Sequence, residues 1–193
     1  MATGSVAAPL GVAWVDARAD MHTPSTSTSG NVHGMSLAAL SGLEPAELAS
    51  IGDVIPTIRP DRVALLGIRS LDAQEKALVR DSGVHLFTMS DIDRLGLATV
   101  TQRALSLIGR GRADLHVSFD LDVCDPAIAP GVGTPVRGGL SYRETHMLME
   151  LVADTGRLRA LDLVEVNPTL DTHNATAELA VEFALSAFGQ RIL

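Results

Sequence analysis

Two pairs of aspartates close two apolar runs of this chain. Asp16 and Asp20 end Gly11-Val-Ala-Trp-Val-Asp-Ala-Arg-Ala-Asp20, and Asp120 and Asp122 end Leu115-His-Val-Ser-Phe-Asp-Leu-Asp122. Residues two apart on a strand point the same way, and residues four apart across a strand exit let the chain curl around one point. Carboxylates gathered at one point repel each other unless a cation lies between them. A hard divalent metal is therefore the chemistry these residues could do. All-oxygen sets suit Mg, Ca or Mn, and nearby imidazole tilts the choice towards Mn. The plainer alternative is that the four acids cap turns and helices, a common task of Asp after a strand.

Something must position these acids. Residues 11–16, 62–68, 84–88, 115–121 and 159–165 read as short aliphatic strands bounded by Gly, Pro or Asp. Amphipathic stretches at 71–81, 98–109, 141–155 and 174–188 read as helices. In the last, Asn174 is placed to cap, with Ala175, Ala180, Val181, Ala184 and Leu185 on one face. Strand–helix alternation predicts a doubly wound α/β domain, its parallel sheet covered on both sides. The loops His22–Gly34 and Asp125–Gly139 follow the aspartate-tipped strands, where ligands sit in open parallel sheets.

Composition narrows the function classes. The chain has 193 residues, 46% hydrophobic and 20% charged, which is enough for one globular core. A net charge of −8 argues against nucleic acid and anionic membrane surfaces as partners. The single cysteine, Cys124, excludes an internal disulfide and fits a reducing compartment. No signal-like start or membrane-spanning run is visible, so a soluble, cytoplasmic protein is expected. Residues 1–10 read as an extension and 11–193 as the domain.

Five segments together resemble the motifs of arginases of the bacterial type, in the same order. They are Asp16-Ala-Arg-Ala-Asp20, Ser29-Gly-Asn-Val-His-Gly34, Ser118-Phe-Asp-Leu-Asp122, Gly131-Val-Gly-Thr-Pro-Val-Arg-Gly-Gly139 and Glu165-Val-Asn-Pro168. The resemblance implies a three-layer α-β-α fold with a mostly parallel sheet of about five strands. It implies manganese-dependent hydrolysis of the L-arginine guanidinium to ornithine and urea, and a homo-oligomer, trimeric or hexameric. Asp16, Asp20, Asp120 and Asp122 would ligate metal, two manganese ions in the family. His33 would move a proton and Glu165 would orient the guanidinium, with Asp20 also counted among the catalytic groups. Substrate would be held by His22, Ser29, Asn31, Asp72, Glu75, Thr134 and Glu165. Read alone, Asp72 and Glu75 are equally first-turn acids of a helix.

The resemblance breaks at named places. Arg18 stands where the family carries a histidine ligand, and a guanidinium has no lone pair to offer a metal. Two outcomes are open: Arg18 fills part of the second metal's space and neutralises Asp120 or Asp122, or it swings to solvent. Weak binding of one metal and impaired turnover are expected, the alternative being a non-catalytic protein that binds arginine or ornithine or serves as a partner subunit. His22 replaces an asparagine, and Val123-Cys124 replaces Gly-Leu. The N-terminal third of the family fold, with a further histidine ligand, has no counterpart before Gly11. Strand 159–165 would then be an open edge that pairs with another chain, is covered locally, or promotes aggregation.

Overall fold

The computed structural model describes residues 10–51 and 55–191. The expected extension 1–10 lies outside the described residues except for Leu10, which begins the first strand. Five strands form one sheet: β1 (Leu10–Val15), β2 (Val63–Ile68), β3 (His85–Thr88), β4 (Asp114–Asp120) and β5 (Leu158–Val164). Their order is β3-β2-β1-β4-β5, with every pair parallel. Each lies within one residue of its expected bounds. Helices α3 (Ala73–Ser82), α5 (Leu97–Ile108), α6 (Tyr142–Asp154) and α7 (Ala175–Ala187) match the four amphipathic stretches. Three short helices were not anticipated: α1 (Ser36–Leu40), α2 (Ala46–Ala49) and α4 (Met89–Leu95).

The caps explain where the helices begin. Asp72 accepts from the amides of Gln74 and Glu75 at the start of α3. Ser141 and Glu144 exchange bonds at the start of α6, a reciprocal capping box. At α7 the expectation is corrected. Asn174 occupies the cap position with φ 62° and makes no side-chain cap bond. Asp171 instead accepts from the Thr176 and Ala177 amides and the Thr176 hydroxyl. The face read for α7 is also corrected: Val181 and Leu185 are exposed, while Thr176, Ala180, Phe183 and Ala187 are buried.

The sheet is dressed unequally. On one face Ala13, Val15, Ala64, Leu66, Val117 and Phe119 pack against α5, α6 and α7. The Phe119 and Phe183 rings meet there at 5.9 Å and 59°, a tilted geometry their quadrupoles favour. On the other face Val12, Trp14, Val63 and Leu65 pack with Leu37 of α1, Ile58 and Val79 of α3. That second layer covers β1 and β2 only. Over β4 and β5 the same face carries His116, Ser118, Asp162 and Val164 around an open groove. Full coverage on both sides, as first read, therefore holds for the centre of the sheet and not for its β5 side. Among the described residues β5 has no strand on its outer side.

Candidate metal centre

The carboxyl ends of β1 and β4 lie side by side, paired from Leu10–Asp114 to Val15–Phe119. The residues that leave them therefore share one rim. Asp16 continues β1 by donating its amide to Leu66 O at 3.0 Å. Asp120 ends β4, and Leu121–Val123 forms a single tight turn that brings Asp122 back beside it. Asp120 accepts from the Asp122 amide at 2.7 Å, and Asp122 accepts from the Ala17 amide at 3.2 Å. As a result Asp16, Asp120 and Asp122, all buried, offer oxygens within 4.8 Å of one another. Gly67 makes room for this rim: its φ is +88°, and a Cβ there would stand 2.5 Å from the Val123 side chain.

Three buried acids so close cannot all be charged without help. Burial holds the Asp16 carboxyl well above the usual range, reinforced by repulsion from Asp20, Asp120 and Asp122 and opposed by the Arg18 amide. Burial and the neighbouring Asp122 push Asp120 up to about 8. A hard divalent cation answers this repulsion, and the oxygen-only donor set fits one. Asp20 stands outside the triad. Its backbone is left-handed, φ 52°, and its carbonyl accepts from the Leu37 and Ala38 amides to start α1. Burial and Glu75 raise its carboxyl to about 7.

Arg18 does not swing to solvent. Its guanidinium pairs with Asp122 at 2.5 Å and donates to Thr134 O at 2.6 Å. It thus holds one oxygen of the triad from the side and ties β1's exit to the Asp125–Gly139 loop.

A 280 Å³ cleft opens beside the triad. Asp20, His22, Ser29, Asn31, His33, Asp72, Glu75 and Thr134 line it, together with Arg18. His22 Nε2 lies 3.3 Å from Asp72 and 3.8 Å from Glu75. Asp72 serves both readings, because one oxygen caps α3 while the other faces His22. Glu75 is buried and accepts from the Met21 amide at 3.2 Å. Ser29, Asn31 and His33 are exposed on the cleft rim. Glu165 lies just beyond β5 with φ 67° and lines the neighbouring groove with Asp16, Asp20, His33 and Asp120. Strained backbone at both Asp20 and Glu165 is the kind that collects at functional sites.

Sequence reading missed two organising side chains. Arg69, at the exit of β2, donates to the carbonyls of Asp122, Val123, Val136 and Arg137. It pins the Pro/Gly-rich loop against the rim. Asp125 closes that loop by accepting from the amides of Ala127 and Gly138. Spacing along the chain gives no hint that residue 69 meets residue 136. Cys124 is a small buried side chain: its thiol lies 3.6 Å from Thr145 Oγ1 and is pushed up to about 12 by burial. Val123 takes no positive φ, so the turn does not need the family's glycine.

Comparison with known proteins agrees with this architecture. A profile of the arginase family matches residues 2–189. The arginase of Bacillus caldovelox is 46% identical over 184 residues, covering 95% of this chain and 62% of that protein. Its crystal structure matches with a TM-score of 0.92 over 96% of this chain. The arginase of Staphylococcus aureus strain COL is 42% identical over 200 residues and is matched over 66% of its length. The Entamoeba histolytica arginase, solved with L-ornithine, matches at 35% identity and a TM-score of 0.88, covering 95% of this chain and 61% of that one. The chain thus spans a little under two thirds of the length of these relatives. By the profile, the identity and the shared sheet together, it belongs to the arginase family.

Proposed function

We propose that this chain is an arginase-type amidinohydrolase, with turnover impaired by Arg18. It would hold manganese on Asp16, Asp120 and Asp122, Asp20 joining from the rim, and act on L-arginine or a similar guanidine. The observation that carries the reading is the buried acid triad, two of whose members, Asp16 and Asp120, line a groove that shares Asp20 and His33 with the cleft gathering His22, Ser29, Asn31, Asp72 and Glu75. Manganese would supply Lewis-acid activation of the attacking water.

The chain's own groups do the rest. Glu165 is a carboxylate suited to orient a planar guanidinium through paired hydrogen bonds. Asp72 and Glu75, through their acids, hold the substrate's α-amino group, while Ser29 and Asn31 donate to its α-carboxylate. His33, exposed between cleft and groove, delivers a proton to the departing amine, a task suited to imidazole near neutral pH. Arg18 opposes the reaction because its pairing with Asp122 ties up one acid oxygen.

The test is urea release from L-arginine with added manganese, comparing the chain with Arg18→His. Histidine offers a lone pair where guanidinium offers none, so a clear gain in rate is expected. The Arg18–Asp122 pair also favours a second reading, a protein that binds arginine or ornithine without turning it over. Ornithine binding by calorimetry, with no urea from either protein, would establish that reading and remove the first.

A further inference from the structure

Asp20 and His33 line both the groove and the cleft, so the two spaces meet there. Beyond that junction Asp72, Glu75, His22, Ser29 and Asn31 line the cleft alone. Two of the five are acids, which by type would suit an ammonium group. Their oxygens are already engaged. Asp72 Oδ1 accepts from the Gln74 and Glu75 amides at 2.9 and 2.8 Å. Glu75 Oε1 accepts from the Met21 amide at 3.2 Å. The other two oxygens, Asp72 Oδ2 and Glu75 Oε2, both face His22 Nε2, at 3.3 and 3.8 Å.

The imidazole is held in that position from its far side. His22 Nδ1 lies 3.2 Å from the Thr26 hydroxyl, which accepts from the Thr23 amide at 2.9 Å. The His22 side chain is only 16% exposed. An ammonium entering the cleft therefore finds a donor of this chain in front of every oxygen of the two acids. It must share them with the imidazole or push it aside, and either change offsets much of what the new contact contributes. A carboxylate meets donors instead. Ser29 and Asn31 are exposed on the rim, and Ser29 Oγ accepts from the Asn31 amide at 3.2 Å, which leaves the hydroxyl proton to give.

We infer that His22 sets the specificity of the cleft by standing where an α-ammonium would, so that ω-guanidino carboxylates without an α-amino group bind at least as well as L-arginine. This rests on the amidinohydrolase reading and narrows its substrate class. Contact of Asp72 and Glu75 with an α-amino group then contributes little, because it displaces a contact the chain already makes.

Calorimetry on the full chain, with manganese present, tests this with three ligands. They are L-arginine, δ-guanidinovalerate, which is arginine without its α-amino group, and agmatine, which is arginine without its carboxylate. The wild-type chain should bind δ-guanidinovalerate as tightly as L-arginine or more tightly, and agmatine about tenfold more weakly. His22→Asn frees the two acids and should shift the balance towards L-arginine by about tenfold. If its circular dichroism spectrum shows that the variant does not fold, the wild-type series decides. A wild-type preference for L-arginine of about tenfold or more overturns the inference and leaves the amidinohydrolase reading in place. An unchanged ratio in folded His22→Asn, or agmatine bound as well as δ-guanidinovalerate, has the same consequence. Valerate, which has no guanidinium, is the control on the reading itself. If it binds as tightly as δ-guanidinovalerate, or if none of the guanidines binds, the reading falls and the inference with it.

Discussion

The two faces of the sheet have been built to different degrees. Facing α5, α6 and α7, Ala13 and Val15 of β1 and Leu115, Val117 and Phe119 of β4 are aliphatic or aromatic and buried, Phe119 against Phe183 at the centre. On the other face β1 keeps apolar Val12 and Trp14, but β4 alternates into His116, Ser118 and Asp120, and β5 into Asp162 and Val164. One face is therefore hydrophobic throughout, while the other packs only over β1 and β2 and over β4 and β5 carries polar groups that tolerate exposure and lead to the acid rim. Stability and chemistry are separated by the pleat of β4, one residue apart along a single strand.

The sharpest way to break this contrast is to cut the closed face. Phe119→Ala removes a fully buried ring and should cost about 3–5 kcal/mol in urea denaturation. If it cost no more than an exposed substitution, α6 and α7 would not be packed as described. Next in size is the response of the rim to metal. Manganese at a hundredfold its dissociation constant should stabilise by about 2.7 kcal/mol, seen as a raised melting temperature at pH 8. Asp120→Asn should abolish that rise.

The sign of the pH dependence follows from the same acids. Asp20 and Asp120, at about 7 and about 8, hold protons more tightly in the folded chain than an unfolded aspartate does, near 3.9. Without added metal, their contribution is fully present below pH 4 and is lost as pH rises through 7 to 8. With manganese the slope should reverse, because ligands must shed their protons to bind. Thermal melts at pH 5.5 and 8, with and without manganese, measure both slopes. Equal slopes in the two conditions would mean that these acids are not the ligands.

How much of this was legible in one dimension depends on the range of the interaction. The strands were readable because apolar runs such as Val63–Ile68 are local signals, and in this fold the central strands are buried on both faces. That Asp16, Asp120 and Asp122 lie together was readable because they sit at strand ends, and the strand order places two of those ends side by side. Helices α1, α2 and α4 were missed, being too short to show a period. The cap of α7 was misassigned because Asp171 and Asn174 are both good capping types, and only the path of the turn selects between them. Arg69's grip on the Asp122–Arg137 backbone is long-range and leaves no pattern along the chain. The choice for Arg18 between ion pair and solvent was likewise a question of where Asp122 lies in space.

Smaller effects sharpen the contrast on the less covered side. Asp72→Ala removes the cap of α3 and should cost about 1 kcal/mol. Burial is not the cause, since the side chain is 42% exposed. The folded chain holds the Asp72 carboxyl below its usual range, chiefly through the Glu75 amide, so its contribution is present above pH 4 and fades as pH falls below it. The wild-type advantage over Asp72→Ala should therefore shrink in acid, opposite to the trend set by Asp120.

At the far end of the scale is Val164→Ala on the groove side of β5. Val164 is 42% exposed, against a fully buried Phe119 on the packed side of the neighbouring strand. Exposed substitutions away from special features stay within about 0.5 kcal/mol, and no more is expected here. A loss of about 2 kcal/mol in the isolated chain would mean that the groove side of β5 is already packed, by this chain or by a second copy. Paired with Phe119→Ala, this measurement distinguishes a sheet with one finished face from a sheet closed on both.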